Sequence, residues 1–474
     1  MLFAMTNFNF SEIPILLFLK MQILLKYEEN IVAFEKIVVT GIGAVTALGI
    51  GCDNLWDSLL KGKSAIKRIN FEDADMDQFT SQMAAPIENF DVSDFFEKDK
   101  SLKRNGRVTN FAIAGTKLAL EDAGFKFQTR KTDSGKISYV ITGIDSFRAG
   151  VVMGVGVHNM DISEKFHALH VLNNGPKKTS PFALPFIPTN AVPAMVAEKF
   201  NIIGPSYAVS TACASGTHAI INAYNLLQSP DIDMVITGGC DACITSYVYG
   251  GFDAMLAMSK NNDIPDKACR PFDKNRDGFI IGEGSGILIL EKESTALKRG
   301  AKIIAELAGG CMSSDAYHIT IPEPTGASAI KMLNRVFEVC CVAKDEVGYI
   351  NAHGTSTPLN DSTESHVIKQ VFGQRAYKIP VSSTKSMLGH SIGASGGIEA
   401  IVCIKTIISS MIHPTRNLEY PDIDYVDPRC PELDKRCDLD YVPGLPREQN
   451  VDVALSQSFG FGGHNSAVVF KKYF

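Results

Sequence analysis

One junction narrows what this chain can fold into more than any other. Ser206–Ser210 reads as a strand, and Ala214–Leu227 reads as a helix with Ile220, Tyr224 and Leu227 on one face. Only Thr211, Ala212 and Cys213 lie between them. So abrupt a handover belongs to a layered α/β fold, in which strands leave the sheet through covering helices. The same alternation recurs. Lys36–Thr40 is a β-branched run, and Gly41-Ile42-Gly43 turns the chain towards a helix over Asn54–Leu60. Helical spacing returns at Val108–Ala123, Ala191–Phe200, Ala329–Val342 and Gly396–Ser409. Strand-like runs fall within Ser138–Gly156 and at Met234–Gly238, Gly284–Glu291, Ile304–Met312, Val347–Asn351, Ile379–Ser383, Val451–Ser456 and Ala467–Phe470. Ile66–Asp99 shows no clear period and reads as irregular. The expectation is an α/β fold with a mostly parallel sheet covered on both faces.

Composition sets the outer limits. A chain of 474 residues holds two or three domains, or one large duplicated one. With 45% hydrophobic and 21% charged residues it is neither disordered nor collagen-like. Forty-six basic against fifty-two acidic residues leave a net charge of −6, which argues against a charge-driven role on nucleic acid or a membrane surface. Eleven cysteines at irregular spacings do not resemble a disulfide framework and imply a reducing, cytoplasmic setting. Ile13–Leu19 is apolar but far shorter than the ~20 residues that cross a bilayer. No arginine precedes Lys36, which argues against a transit peptide, so residues 1–34 read as an N-terminal extension. No other segment reads as transmembrane.

Four constellations could carry chemistry. Cys213 stands where a strand hands over to a helix, beside Ala214, Ser215 and Gly216. The positive helix end lowers a thiol pKa there and favours a nucleophile; a buried cysteine of no chemical consequence is the alternative. His353, in Asn351-Ala352-His353-Gly354-Thr355, follows a strand, at the edge where open α/β sheets place ligands. His390 closes Ser382–His390 and leads into a Gly/Ala-rich helix, whose N-terminus keeps an imidazole neutral; Lys385 brings a cation nearby. Ser458-Phe459-Gly460-Phe461-Gly462-Gly463-His464 is dense enough in glycine to expose N–H groups for an oxyanion, or is a plain tight turn. One thiol and two histidines at strand-to-loop junctions make a Cys–His type of site.

Other matches fail. Asp273–Gly278 imitates an EF-hand start, but position twelve is Gly284, so calcium is rejected. Gly41-Ile42-Gly43 lacks the third glycine of a dinucleotide loop, since Thr46 stands there. Cys240-Asp241-Ala242-Cys243 has no second pair at zinc spacing and reads as core. Gly389-His390-Ser391-Ile392-Gly393 does match G-x-S-x-G, so a serine hydrolase using Ser391, His464 and an aspartate such as Asp424 is the rival reading. No metal site is expected.

Over about residues 36–473 the chain resembles the beta-ketoacyl-[acyl-carrier-protein] synthases, elongating condensing enzymes of the thiolase superfamily. IVVTGIG, STACASGTHAI, RPFDKNRDGFIIGEG, SSDAYH, NAHGTSTPLND, SSTKSMLGH and SFGFGGHN occur in the family's order. The resemblance is closest to the type II branch with a Cys-His-His triad. It implies a duplicated thiolase-like fold, layered α-β-α-β-α around two mostly parallel central sheets, with halves at 35–290 and 291–474. It implies decarboxylative condensation of malonyl-carrier protein with an acyl group held on Cys213, in fatty-acid or polyketide-like elongation. His353 and His390 would stabilise the enolate, and Lys385 would tune the field with Glu399, grouped with the substrate contacts, as its partner. Phe459 would be the gating residue, its N–H sharing an oxyanion hole with that of Cys213. Thr355 and Thr357 would touch the phosphopantetheine arm, and Val157 the acyl gate. No cofactor of its own is implied; acyl carrier protein and a second copy of the chain are the expected partners, with neither nucleic acid nor membrane.

The chain also departs from that pattern. His158-Asn159 replace a usual Gly-Gly, His464 replaces a usual Thr, and residues near Ser134–Phe147 look inserted. These bear on acyl length, and they keep a non-catalytic partner of a synthase in view. Lys98, Lys100, Lys103, Arg104 and Arg107 cluster around Asp99. Such a run is a solvated face or, with Lys103 and Arg104 foremost, a dock for an acidic carrier protein.

Overall fold

The computed structural model describes residues 35–96, 99–131 and 137–474. The expected extension, residues 1–34, lies outside them, as does Lys98. The elements that carry the architecture run, in chain order, β1 (Ile37–Thr46), α1 (Arg107–Asp122), β2 (Ala149–Val155), α2 (Met160–Leu172), α3 (Ala191–Phe200), β3 (Ser206–Val209), α4 (Ser215–Leu227), β4 (Met234–Ala242), β5 (Ile281–Lys292), β6 (Ala305–Ser314), α5 (Ala327–Val339), β7 (Tyr349–Asn351), α6 (Pro358–Phe372), β8 (Val381–Ser382), α7 (Ser395–Ser409), β9 (Val453–Gly460) and β10 (His464–Lys471).

Across the sheet the strands stand in the order β8-β7-β9-β10-β6-β1-β5-β4-β2-β3. This order contains a repeat that the residues do not advertise. The first five strands are arranged 1-5-4-2-3, and the next five 6-10-9-7-8, which is the same arrangement displaced by five. Pairing repeats with it. In the first half β2 runs parallel to β3 and β4, while β5 is antiparallel to β4 and β1. In the second, β7 runs parallel to β8 and β9, while β10 is antiparallel to β9 and β6. The halves join where Ile37–Val39 pair antiparallel with Ala305–Leu307. The sheet is therefore mixed, with half of the pairings in each half parallel. Alternating strands and helices foretold the parallel members; the antiparallel returns of β5 and β10 broke the rule.

Burial explains the layers. β1 and β5 are buried along their whole length, as strands covered on both faces are. α4 and α7 contact strands of both halves, and α7 is buried on nearly every face. These two helices form the middle layer. α1 covers β1, β5 and β4, and α5 covers β6 and β10. α5 shows the one-sided pattern of a surface helix, burying Ala329, Met332, Leu333, Val336 and Phe337. Ile392–Ser409 is long and apolar enough to cross a membrane, and it is this buried middle-layer helix.

Gly41-Ile42-Gly43 does not turn the chain. Both glycines lie inside β1, where a Cβ would sit 2.2 Å from Ala119 O at Gly41 and 2.2 Å from Gly115 O at Gly43. They let α1 lie directly on the strand. Sequence periodicity also missed α2 and α6. α2 buries only Ile162, whereas α6 is buried on almost all sides. Neither pattern has an amphipathic period. Of the region that looks inserted, Ile137–Thr142 pairs antiparallel with Lys126–Lys131.

Candidate active site

The Cys213 turn is held by its own neighbours. Ala212 takes a left-handed φ of 50°. The Ser215 hydroxyl accepts the Thr211 N–H at 2.9 Å and donates to Ala212 O at 2.6 Å. The glycine-rich turn after β9 presses against this loop. A Cβ on Gly460 would lie 2.8 Å from Thr211 O, so only glycine allows the approach. That contact brings the Phe461 N–H to the Cys213 sulfur. Burial pushes the thiol up to about 11, against the lowering effects of Lys385 and the Phe461 N–H. The expected lowering by the helix end is thus outweighed: removing the sulfur from water costs the thiolate more than the nearby dipoles return.

His353 leaves β7 with its backbone anchored. Its N–H and that of Gly354 donate to the two oxygens of Glu364, at 2.7 and 2.8 Å. Glu364 also accepts from Gln457 Nε2 at 2.6 Å, and burial still lifts its carboxyl to about 7. His390 follows a short helix, Lys385–Leu388, and its N–H donates to Ile280 O at 2.6 Å. Its Nδ1 lies 3.0 Å from Ser395 Oγ. The two imidazoles stand edge to face, 5.3 Å between centroids. Nδ1 of His353 and Nε2 of His390 are buried and have no hydrogen-bond partner. Burial first, and the Lys385 charge second, hold both rings well below the ordinary histidine range. They are neutral donors at pH 7.

Cys213, His353, His390, Thr355, Thr357, Phe459 and Phe461 line one cavity of about 370 Å³. Four sequence segments far apart in the chain thus converge on a single space. Thr355 Oγ1 and Thr357 Oγ1 lie 2.9 Å apart on its wall. Phe459 sets its ring 5.9 Å from that of His353, and it pairs with Asn465 in the β9–β10 ladder. The N–H that faces the Cys213 sulfur belongs to Phe461, two residues beyond Phe459. Phe461, Glu364 and Asp241 were missed by sequence reasoning; for Phe461 the glycines on either side were the available signal.

Three expected site residues, Lys385, Glu399 and Val157, stand outside the cavity lining. Lys385 and Glu399 are both buried and form an ion pair behind the histidines. Glu399 meets the lysine and lies outside the cavity lining, which corrects its grouping with substrate contacts. Val157 packs in the apolar cluster that contains Cys213, Phe279 and Ile392. Its N–H and those of Gly156 and Gly393 all donate to the buried carboxylate of Asp241, at 3.0, 3.0 and 2.7 Å.

The rival hydrolase does not assemble. Ser391 follows a helix, not a strand, and its φ of −84° is not the strained turn of a nucleophile elbow. Asp424 is 71% exposed and bonds Lys274 at 2.9 Å. His464 sets its ring against His218 at 6.0 Å. The EF-hand mimic is occupied by its own backbone: Asp273 accepts from Asn275, Glu419 and Tyr420. In the basic cluster Asp99 is buried against Lys199, and Arg107 is bound to Glu283 at 2.6 Å, while Lys103 and Arg104 are exposed.

Comparison with known proteins agrees with this geometry. The sequence matches the family models for the beta-ketoacyl synthase N-terminal domain over residues 34–296 and for its C-terminal domain over residues 304–419. A Synechocystis protein named 3-oxoacyl-[acyl-carrier-protein] synthase 2 is 42% identical over 93% of this chain and 98% of its own. A Coxiella burnetii protein of the same name is 39% identical over 93% and 99%. Among solved structures, a beta-ketoacyl synthase from Burkholderia phymatum superposes with a TM-score of 0.80 at 30% identity, over 93% of this chain and all of that one. A ketosynthase in complex with its type II polyketide acyl-carrier protein gives 0.80 at 29%, with the same coverage. Profile, relatives and fold converge: the chain belongs to the beta-ketoacyl synthase family.

Proposed function

We propose that the protein elongates acyl chains by decarboxylative Claisen condensation of a malonyl-carrier protein with an acyl group on Cys213. The observation that carries this reading is the meeting of Cys213, His353 and His390 on one cavity. In the first half-reaction the Cys213 sulfur attacks an acyl thioester; the carrier thiol leaves and takes up the proton that the cysteine gives up. In the second, the malonyl C–carboxylate bond breaks, carbon dioxide departs, and its electron pair forms an enolate on the thioester oxygen. His353 and His390 meet that oxygen with N–H groups, and one such donor is worth ~3–4 kcal/mol. The enolate carbon then attacks the Cys213 thioester. The oxyanion faces the Phe461 N–H, and collapse expels the Cys213 sulfur and releases a 3-oxoacyl thioester.

The first attack uses the Cys213 sulfur's own electron pair and the second the pair of the malonyl C–carboxylate bond, so the reaction as written needs no resident cofactor. Thr355 and Thr357 would bind the phosphopantetheine arm, and Val157 would border the acyl tail. The 3-oxoacyl-[acyl-carrier-protein] synthase 2 relatives are nearer in sequence than the polyketide ketosynthases, which favours fatty-acid elongation. A carrier protein is the donor, and Lys103 and Arg104 are the exposed cations to which it would dock. A homodimer would form through β3, the end strand of the ladder, beside Phe147 and Ile203, which are 65% and 61% exposed. Eleven free cysteines suit a reducing cytoplasm.

The test is direct. Incubated with acyl- and malonyl-carrier protein, the protein gains the acyl mass and releases the 3-oxoacyl product. Cys213→Ala loses both, and Ser391→Ala keeps acylation. The reverse pattern would sink the reading, and a wild type without condensation would make the protein a non-catalytic partner.

A further inference from the structure

His390 and His353 share the cavity but are held differently. His353 Nδ1 has no partner, whereas His390 Nδ1 faces the Ser395 hydroxyl at 3.0 Å. Both side chains of that pair are buried. A neutral imidazole carries one N–H and one lone pair, and the group at one nitrogen decides what the other presents. The Ser395 hydroxyl has no other hydrogen-bond partner among the described residues. Its proton therefore has one destination, the lone pair of His390 Nδ1. The opposite arrangement would bury a hydroxyl proton with nothing to accept it.

Ser395 cannot drift from this position. It opens α7, and the two residues after it are clamped. A Cβ on Gly396 would lie 2.3 Å from Thr217 Oγ1, and one on Gly397 would lie 2.2 Å from Gly286 O. The backbone of His390 is fixed at both ends too, donating to Ile280 O and accepting from Gly282 N–H.

The geometry points to Ser395 as a positioning residue that fixes the His390 tautomer with its proton on Nε2, the nitrogen left without a partner. This rests on the condensing reading: Nε2–H is the donor that the enolate oxygen requires, and the other tautomer would turn a lone pair towards it.

Nitrogen-15 spectra of histidine-labelled protein, with His390 assigned through His390→Asn, separate the outcomes. The wild type should show a protonated Nε2 and an unprotonated Nδ1 at His390. Ser395→Ala should give mixed tautomers, and Ser395→Thr should restore the single one. Losing the preferred tautomer should slow malonyl decarboxylation by about tenfold, more than it slows acyl transfer to Cys213. If Ser395→Ala does not fold, Ser395→Cys, a weak donor of similar volume, gives the same reading. Unchanged His390 signals in the folded variant would overturn the inference, as would equal loss of both half-reactions. A shifted tautomer in a protein that never decarboxylates malonyl thioester would leave this inference standing and remove the condensing function instead.

Discussion

The ring of His353 meets that of His390 edge-on, 5.3 Å between centroids, and neither can hold a charge there. Two imidazolium ions so close, with Lys385 behind them, would repel one another in a medium that screens little. Two neutral rings are what the proposed enolate oxygen would need.

A pH dependence follows. Both rings have folded-state pKa values below the 6.5 of an ordinary histidine, so below that pH the unfolded chain binds more protons. Their share of the stability is complete above 6.5 and is lost as pH falls beneath it. Urea unfolding between about pH 8 and about pH 5 should show stability falling on the acid side, and His390→Asn should flatten that slope. An equal slope in wild type and variant would contradict the assignment.

Cys213 yields a second expectation. Its thiol is pushed up to about 11 by burial, so little thiolate exists at neutral pH. Iodoacetamide should alkylate Cys213 slowly near neutrality, with a rate that keeps rising through about pH 10. A plateau below about pH 8 would mean that the helix end and Lys385 outweigh burial after all.

How far the sequence could reach is clear at particular residues. The strand-to-helix junction placed Cys213 correctly, because a β-branched run against a small-residue helix is a local signal, whereas His390 follows the short helix Lys385–Leu388 and not a strand. That their side chains share a cavity is not local; it depends on the 1-5-4-2-3 strand order repeating in the second half. Gly41 and Gly43 misled, since a glycine that admits a helix looks the same as one that turns a chain. Glu364 was invisible. Its role is to receive two backbone N–H groups eleven and ten residues earlier, and nothing in its own neighbourhood records that.

Lys385 and Glu399 form a buried ion pair that can be taken apart one charge at a time. Glu399→Ala leaves a buried ammonium without its partner, a loss of about 3–5 kcal/mol. The paired change Lys385→Met with Glu399→Leu should recover most of that stability, since neither charge remains. It should also raise the histidine pKa values part of the way, because the cation behind the rings is gone while burial, the larger cause, remains. Denaturant midpoints and histidine titration by NMR check the two halves separately.

Gly41→Ala and Gly43→Ala test the contact between α1 and β1. Each new methyl would overlap backbone atoms of the helix, and neither backbone can yield without moving the layer. A loss of about 1–3 kcal/mol or more is expected for each, against almost none for Ala at Gly251, where a Cβ meets nothing within 4 Å. Equal, small effects at all three would show that α1 is not seated on the strand.

Carrier docking supplies the last test, and the structure sharpens which residues to change. Of the five cations in the cluster, Arg107 is committed to Glu283 and to Ile87 O. Lys103 and Arg104 are exposed, with Arg104 lying 5.0 Å over the Phe182 ring. An acidic carrier steered to exposed cations gains mainly in association rate, and salt weakens that gain. Lys103→Glu with Arg104→Glu should therefore raise KM for the carrier-bound substrate, leave kcat unchanged, and make KM less sensitive to salt. Arg107→Ala should instead lower stability, because it strips the partner from a buried Glu283 carboxylate. If the double charge reversal leaves KM and its salt dependence untouched, the carrier docks elsewhere and the cluster is a solvated face.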